Sequence, residues 1–225
     1  MADRPPVIAI DGPAASGKSS TAAAVARELG ALHLDSGALY RAMTVVYLDA
    51  PGDETQVVGR AEQRGLELRE AGGALVPFLD DGDAEPLLRT PAVNQAVSRV
   101  SAWPAVRAWV TARLREAASG NRPVVFDGRD IGTAVFPDAP VKIFLTATPE
   151  TRARRRLLQQ GLTADAAEIR REAAALVERD RKDSTRPVAP LKRAEDAELL
   201  DSTELDFSEA VGEIVRLVRR RLPGL

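Results

Sequence analysis

Short apolar runs alternate along the chain with longer segments in which apolar residues recur at helical spacing. The runs are short enough to be strands buried on both faces of a sheet, and we predict strands at residues 7–10, 31–34, 124–126, 141–145 and 199–201. The longer segments predict helices at about residues 18–29, 36–48, 54–64, 91–102, 104–118, 149–156, 164–180 and 208–222. Strands that alternate with helices predict a three-layer α/β fold with a central parallel sheet.

One segment, from about residue 60 to residue 90, departs from this alternation. It contains three short strand-like runs separated by turn-forming residues, at residues 66–69, 75–79 and 85–88. Local hairpins fit poorly into a parallel sheet, so we predict a small antiparallel insertion. Pro77 marks the second run as an edge strand or an irregular one. The length of 225 residues suits one domain with such an insertion.

The stretch between the first predicted strand and helix has the pattern G-x-x-x-x-G-K-S of a phosphate-binding loop. Glycines let the backbone wrap an anion, and N–H groups of the loop and helix N-terminus face its oxygens. Lys18 adds a charge, and the Ser19 hydroxyl can hold Mg²⁺. The alternative is a simple glycine-rich turn, but both flanks match what phosphate binding requires. The predicted triphosphate site comprises Gly12, Pro13, Ala14, Ala15, Ser16, Gly17, Lys18, Ser19 and Ser20.

Two further polar stretches directly follow predicted strands. Asp35 and Ser36 follow the second strand, where Ser36 is the predicted N-cap of the next helix, and residues 127–130 follow the third strand with the sequence D-G-R-D. Ligands of an open α/β sheet bind at the carboxyl ends of its strands. We therefore expect both stretches to lie beside the phosphate-binding loop. His33, inside the second strand, is predicted to be a packed side chain and not a catalyst.

Composition narrows the class of protein. Apolar residues make up 44% of the chain, and the formal net charge of −2 gives no overall positive field that would indicate a nucleic-acid partner. The absence of cysteine excludes disulfides and thiolate metal sites and fits a cytoplasmic location. No apolar run approaches a membrane span and no signal peptide is recognisable, so no membrane contact is expected.

Five arginines lie in or beside polar stretches and not on evident amphipathic helix faces: Arg41, Arg107, Arg129, Arg179 and Arg186. Guanidinium groups match phosphate oxygens bidentately. A site that needs several of them holds more than one phosphate and spreads charge during transfer. The alternative for any one of them is an ordinary surface side chain.

Several stretches of the chain together resemble the bacterial cytidylate kinases, within the nucleoside monophosphate kinase family. They read IDGPAASGKSS, LDSGALYR, DGRDIGTAVFPDAPVKIFL, and ERDRKDSTRPVAPL with LLDST downstream. The resemblance runs from Val7 to about Leu217. It implies one P-loop kinase domain over residues 1–225, with its core at about 5–50, 91–150 and 187–225, an insertion beside the monophosphate at about 60–90, and a helical lid at about 152–185.

The resemblance implies direct in-line transfer of the γ-phosphoryl group of ATP to CMP or dCMP, with Mg²⁺ and without a covalent intermediate. The expected catalytic residues are Lys18, Arg41, Arg129 and Arg186. The lid arginines expected over ATP, beside the loop residues, are Arg152, Arg155 and Arg156. The acceptor phosphate is expected between Arg41, Arg129 and Arg186, with Asp35, Ser36 and Tyr40 beside it. Ser98, Arg107 and Asp130 are expected to contact the cytosine edge. Asp183, helped by Arg179, is expected to contact the ribose.

Some alternatives stay open at this point. Asp127 ends an apolar strand as a metal-orienting carboxylate would, to complete a site with Ser19, but Asp-Gly is also an ordinary turn. The nearest rival function is a kinase for another monophosphate or for a metabolite such as shikimate. A nucleotide-dependent switch is a different class, and acceptor-type residues spread over four loops count against it. We expect a monomer; the preference between CMP and dCMP is not set by the sequence.

Overall fold

The computed structural model describes residues 5–225, so residues 1–4 of the predicted domain lie outside the described residues. The strands are β1 (Val7–Asp11), β2 (Leu32–Asp35), β3 (Glu67–Ala71), β4 (Ala74–Leu79), β5 (Gly82–Asp83), β6 (Val124–Gly128), β7 (Val141–Thr146) and β8 (Glu198–Asp201). The helices are α1 (Lys18–Glu28), α2 (Ser36–Asp49), α3 (Glu54–Gln63), α4 (Glu85–Leu88), α5 (Pro91–Val100), α6 (Pro104–Ala117), α7 (Pro149–Gln159), α8 (Ala166–Thr185) and α9 (Phe207–Arg221). Within these residues, no helix combines the length and the apolar character needed to cross a bilayer.

The centre of the sheet is parallel, with β2, β6, β1, β7 and β8 side by side in that order. β1 lies in the middle, where Ile8 pairs with Val125 of β6 and with Val141 of β7. Ile8 and Ile10 are fully buried on one face and Ala9 on the other, which is why this run is apolar without alternation. The predicted parallel sheet is confirmed.

Helices cover both faces of the sheet. On one face, α2, α3, α5 and α6 pack around Phe126 and Met43. On the other face, α1 and α9 pack around Ile143 and Val25. A third, smaller apolar cluster joins α7 and α8 to Ala14 of the phosphate-binding loop. The three-layer α/β architecture is thus confirmed, and the helical pair α7–α8 sits directly against the loop.

The antiparallel insertion is present as β3, β4 and β5, but it is not separate from the sheet. Ala74 at the start of β4 pairs in parallel with His33 of β2, so the insertion extends the sheet at one edge. On that side β4 is next paired from Phe78 onward, to β5. Pro77 lies between these two contacts, where a residue without an N–H group is tolerated.

Three local predictions were wrong. Residues 85–88 were expected to be a strand but form α4, which has Pro86 in its first turn and buries Leu88. The N-cap of α2 is Asp35, whose carboxylate accepts from Gly37 N at 2.8 Å, and Ser36 is the first helical residue. α8 continues to Thr185, beyond the predicted helix end at about residue 180. The division into core, insertion and lid stays a prediction.

Candidate functional site

The phosphate-binding loop lies between β1 and α1, at the carboxyl edge of the sheet. Gly12 leaves the strand with φ of 154°, and a Cβ at this position would lie 2.0 Å from the carbonyl oxygen of Leu145 in β7. A side chain does not fit there, so glycine is required for the loop to start flush against the neighbouring strand. α1 begins at Lys18, which puts the positive end of its dipole at the loop. The predicted strand–loop–helix arrangement is confirmed.

Lys18 is buried and, among residues 5–225, has only neutral partners within hydrogen-bond distance. Its Nζ donates to the Pro13 carbonyl at 2.7 Å and to Ser16 Oγ at 3.4 Å. Burial, and after it the positive charge of Arg129, lowers the pKa of Lys18 to about 7. A bound polyphosphate would supply the negative charge that this ammonium group lacks.

Ser19 and two aspartates form an oxygen-rich group beside Lys18. Ser19 Oγ donates to Asp127 Oδ2 at 2.6 Å and lies 3.5 Å from Asp35 Oδ2. Burial, followed by the charge of Asp127, raises the pKa of Asp35. His33 is half-buried, and its Nε2 lies 2.8 Å from Asp127 Oδ1. Mg²⁺ prefers such hard oxygen donors and completes its shell with phosphates and water, so this donor set fits the ion.

The two polar stretches at the ends of β2 and β6 meet as the sequence predicts. Asp35 and Asp127 are neighbours in register, and Ser36 Oγ donates to the Asp127 carbonyl at 2.8 Å. A Cβ on Gly128 would lie 2.5 Å from Ser36 Oγ, so this close approach requires glycine. Ser36 therefore ties the two strand ends together, in addition to any contact with a ligand.

Asp130 is a buried carboxylate between two arginines. It accepts from Arg107 on one oxygen and from Arg186 Nη2, at 2.9 Å, on the other. The side chains of Arg107, Asp130 and Arg186 are only 4%, 6% and 8% exposed. The Tyr40 ring lies 5.3 Å from the Arg107 guanidinium, and its buried hydroxyl has no partner among the described residues. Two cations around one anion leave a positive, donor-rich pocket with an unmet hydrogen-bonding group.

Further arginines face the same space from the segment after β6 and from α8. Arg129 Nε donates to Asp183 Oδ2 at 3.1 Å. Arg179 has a buried Nε without a partner among residues 5–225. Burial, followed by the charge of Arg129, lowers the pKa of Arg179 to about 10. Cations crowded together out of water indicate a site built to receive an anion.

Arg41 adds a cation from α2. Its Nη1 donates to the Leu88 carbonyl at 3.1 Å and to Asn94 Oδ1 at 2.7 Å. Burial is the main cause that lowers its pKa, and the neighbouring charges of Arg89 and Arg129 act in the same direction. The start of α5 and the end of α4 therefore aim Arg41 into the cleft.

One cleft of about 940 Å³ joins the loop and the arginine pocket. It is large enough for two nucleotide-sized ligands to meet. Ser98, expected to read a base, lines it, and so do Arg89 and Asn94, which the sequence analysis missed. Arg89 directly follows the predicted strand-like run at residues 85–88, and no motif in the sequence marks it as a site residue.

The three predicted lid arginines have different surroundings. Arg152 is buried, and its guanidinium donates to the Ala14 carbonyl at 2.8 Å and to Asp180 Oδ2 at 2.6 Å. Arg155 lines the cleft and donates to the Ser202 carbonyl at 2.6 Å. Arg156 also lines the cleft and pairs with a glutamate of α8, 3.0 Å away. Their contact with ATP stays a prediction.

Asp11, the last residue of β1, was not singled out in the sequence. Its buried carboxylate accepts from Ile131 N at 2.9 Å and from Gly132 N at 2.8 Å, which fixes the turn after Asp130. Burial raises the pKa of Asp11 to about 6, although both N–H bonds oppose the shift. The signal was present, since Asp11 ends a buried strand just as Asp35 and Asp127 do.

Comparison with known proteins places the chain first in a class and then in a family. The solved structure of an uncharacterized protein from Eubacterium ventriosum matches with a TM-score of 0.52 at 12% identity, over 96% of this chain and 99% of that one, and shows the shared fold alone. The phosphate-binding loop, the oxygens of Ser19, Asp35 and Asp127, and the arginine pocket are the arrangement of a P-loop kinase.

The sequence profile of the cytidylate kinase family matches residues 8–220. The chain is 46% identical over 217 residues to the cytidylate kinase of Mycobacterium leprae, covering 96% of both chains. It is 42% identical over 221 residues to that of Carboxydothermus hydrogenoformans, covering 95% of this chain and 97% of the other. The chain belongs to the cytidylate kinase family, which confirms the resemblance found in the sequence.

Proposed function

We propose that the protein transfers the γ-phosphoryl group of ATP to CMP or dCMP, giving ADP and CDP or dCDP. Membership of the cytidylate kinase family supports the reaction. The observation that carries the choice of acceptor is the buried group of Arg107, Asp130 and Arg186, of which Asp130 and Arg186 line the same cleft as the phosphate-binding loop. A carboxylate can accept from the exocyclic amine of cytosine, and an arginine can donate to its N3 or O2.

On the donor side, the loop from Gly12 to Ser20 holds the phosphates of ATP, and Lys18 compensates their charge. Ser19 and Asp127, with Asp35 beside them, would hold Mg²⁺. When bound, the ion would neutralise part of the phosphate charge. We also propose that Arg155 and Arg156 cover ATP, because both line the cleft. Excluding water at this point prevents hydrolysis of ATP.

On the acceptor side, Arg41, Arg129 and Arg186 clamp the phosphate of CMP, since they reach the cleft from α2, the segment after β6 and the segment after α8. Asp183 accepts from the ribose, and Arg179 supports it; Ser36 and Tyr40 lie beside the phosphate. Ser98 adds an adaptable contact to the base. Holding both phosphates in line lets the transfer proceed directly, without an enzyme-bound intermediate.

The experiment is a coupled assay of ADP formation with ATP and one acceptor at a time: CMP, dCMP, UMP, AMP or shikimate. We expect strong acceleration by CMP and dCMP, weak acceleration by UMP, and none by AMP or shikimate. ADP release that does not depend on any acceptor would refute the proposal. A monomeric state and a cytoplasmic location stay predictions.

A further inference from the structure

We propose that Asp180 is a positioning residue of the phosphate-binding loop. The inference rests on the proposed function only in taking this loop as the place where ATP binds. Asp180 lies in α8, next to Arg179 and three positions before Asp183, both of which line the acceptor side of the cleft. Asp180 itself points to the donor side and contacts the loop.

Both carboxylate oxygens of Asp180 are engaged around one residue of the loop. Oδ1 accepts from Ala14 N at 2.7 Å. Oδ2 accepts from Arg152 Nη1 at 2.6 Å, and the same Nη1 donates to the Ala14 carbonyl at 2.8 Å. Ala14 is therefore held through its N–H and its C=O by a single ion pair, with the anion from α8 and the cation from α7.

The next residue shows why this grip matters. Ala15 has φ of 57°, a left-handed conformation that is unfavourable for a non-glycine residue. The Ala14 methyl is also buried against α7 and α8, beside Leu157 and Leu176. Ala14 cannot shift without breaking these contacts, so the turn at Ala15 is fixed before a ligand arrives. A preformed loop avoids the cost of ordering during binding.

Attachment of α7 to α8 does not by itself require this pair. The two helices also share an apolar cluster and the pair between Arg156 and Glu172, which makes no described contact with the loop. The side chains of Arg152 and Asp180 are only 6% and 15% exposed, so removing one partner leaves a poorly solvated charge beside Ala14. The effect should therefore appear in the shape of the loop.

The test compares Asp180→Ala, Arg152→Met and the double variant with Glu178→Gln, a matched control. Glu178 lies in the same helix and, within the described part of the chain, pairs only with the exposed Arg181 and Lys182. Binding of ADP and of CMP is measured separately by titration calorimetry, and KM for ATP is measured at saturating CMP. Asp180→Asn, which keeps an oxygen for Ala14 N, is included in case the alanine variant does not fold.

We expect Asp180→Ala to weaken the binding of ADP and to raise KM for ATP, each by about tenfold or more. The affinity for CMP should change by less than about threefold. Asp180→Asn should show a smaller loss in the same direction. The double variant should be no worse than the worse single one, because the pair acts as a unit. Tighter ADP binding would mean that Asp180 only repels phosphate. Equal losses for ADP and CMP, additive single effects, or an equal effect of Glu178→Gln would also overturn the proposal. ADP calorimetry gives this answer whichever acceptor the enzyme uses.

Discussion

At the residue scale, Asp130 shows how one buried side chain can decide which base the cleft accepts. Its oxygens already accept from Arg107 and Arg186, so its position is fixed before a base arrives. The amine of cytosine can donate to a carboxylate, whereas the corresponding carbonyl of uracil is repelled by it. In our proposal, the side chain that shapes the pocket is also the one that reads the base.

Asp130→Asn keeps the size of the side chain but removes its charge, and its amide can donate to a uracil carbonyl. We expect kcat/KM for CMP to fall by at least about tenfold, which corresponds to the roughly 1–3 kcal/mol of one well-made polar pair. The value for UMP should fall much less, so the ratio between the two narrows. Steady-state kinetics with both acceptors measure it.

Asp138→Asn is the matched control, because it makes the same change at an exposed position in the segment after the π-helical turn Ile131–Val135. The Asp138→Asn variant should leave kcat/KM unchanged for both CMP and UMP. If Asp130→Asn lowers kcat/KM for CMP and for UMP in equal proportion, Asp130 only supports the loop through its contacts with Arg107 and Arg186 and does not read the base.

Asp11 makes a prediction about pH. Its pKa is about 6 in the folded protein and near 4 when unfolded, because burial disfavours the carboxylate. Between these values the folded state holds a proton that the unfolded state has released, so stability is lost as pH rises from about 4 to about 6. Two pKa units correspond to roughly 3 kcal/mol.

The free energy of unfolding, measured by denaturant titration at pH 4.5 and pH 7 for the wild type and Asp11→Asn, isolates this contribution. The asparagine does not titrate, so the stability of the wild type relative to the variant should decrease by roughly 2 kcal/mol across that range. A relative stability that stays constant or increases toward pH 7 would show that the two N–H bonds outweigh burial.

At the scale of elements, the phosphate-binding loop depends on how closely β1 passes β7. Gly12→Ala places a Cβ 2.0 Å from the Leu145 carbonyl, so the backbone of one strand must move. We expect a loss of about 2–4 kcal/mol in the free energy of unfolding, measured by denaturant titration, together with weaker ATP binding.

Gly30→Ala separates backbone strain from the collision. Gly30 also has a positive φ, 64°, but a Cβ there would meet nothing within 4 Å. The expected loss is about 1 kcal/mol, from the left-handed conformation alone. If the two variants lose equal stability, the close approach of the strands is not what requires glycine at position 12.

Helices, strands and loops could be predicted where the sequence pattern was long or where two independent signals agreed. The loop of residues 12–19 is contiguous, and a strand and a helix flank it. The apolar run at residues 85–88 is too short to tell strand from helix, and only Pro86 favours the first turn of a helix. Asp35 and Ser36 are both good N-caps, so sequence alone could not choose between them. The last turn of α8 is held by a tertiary contact, Asp183 with Arg129, which no local pattern contains.

At the scale of the whole molecule, the site could be predicted as far as strand ends define it. Parallel strands bring residues 12, 35 and 127 to one edge, and the sequence indicates this. The role of Asp180 could not be predicted, because it stands among the charges of RDRKDSTR and only the docking of α8 selects it. Asp11 directly precedes the phosphate-binding loop and fixes the turn after Asp130. Asp180 lies beside Arg179 and fixes Ala14 of the phosphate-binding loop. Each carboxylate therefore connects the phosphate-binding loop to the residues that we propose for the acceptor side.

The most direct test of this account follows the phosphoryl group itself. ATP labelled at the γ-phosphate is incubated with the protein and CMP, and the products are separated. The account predicts that the label appears in the β-phosphate of CDP, in equal amount to the ADP formed, with little free phosphate, because the two bound nucleotides exclude water from the cleft. Label released mainly as inorganic phosphate, at a rate that CMP does not change, would contradict it.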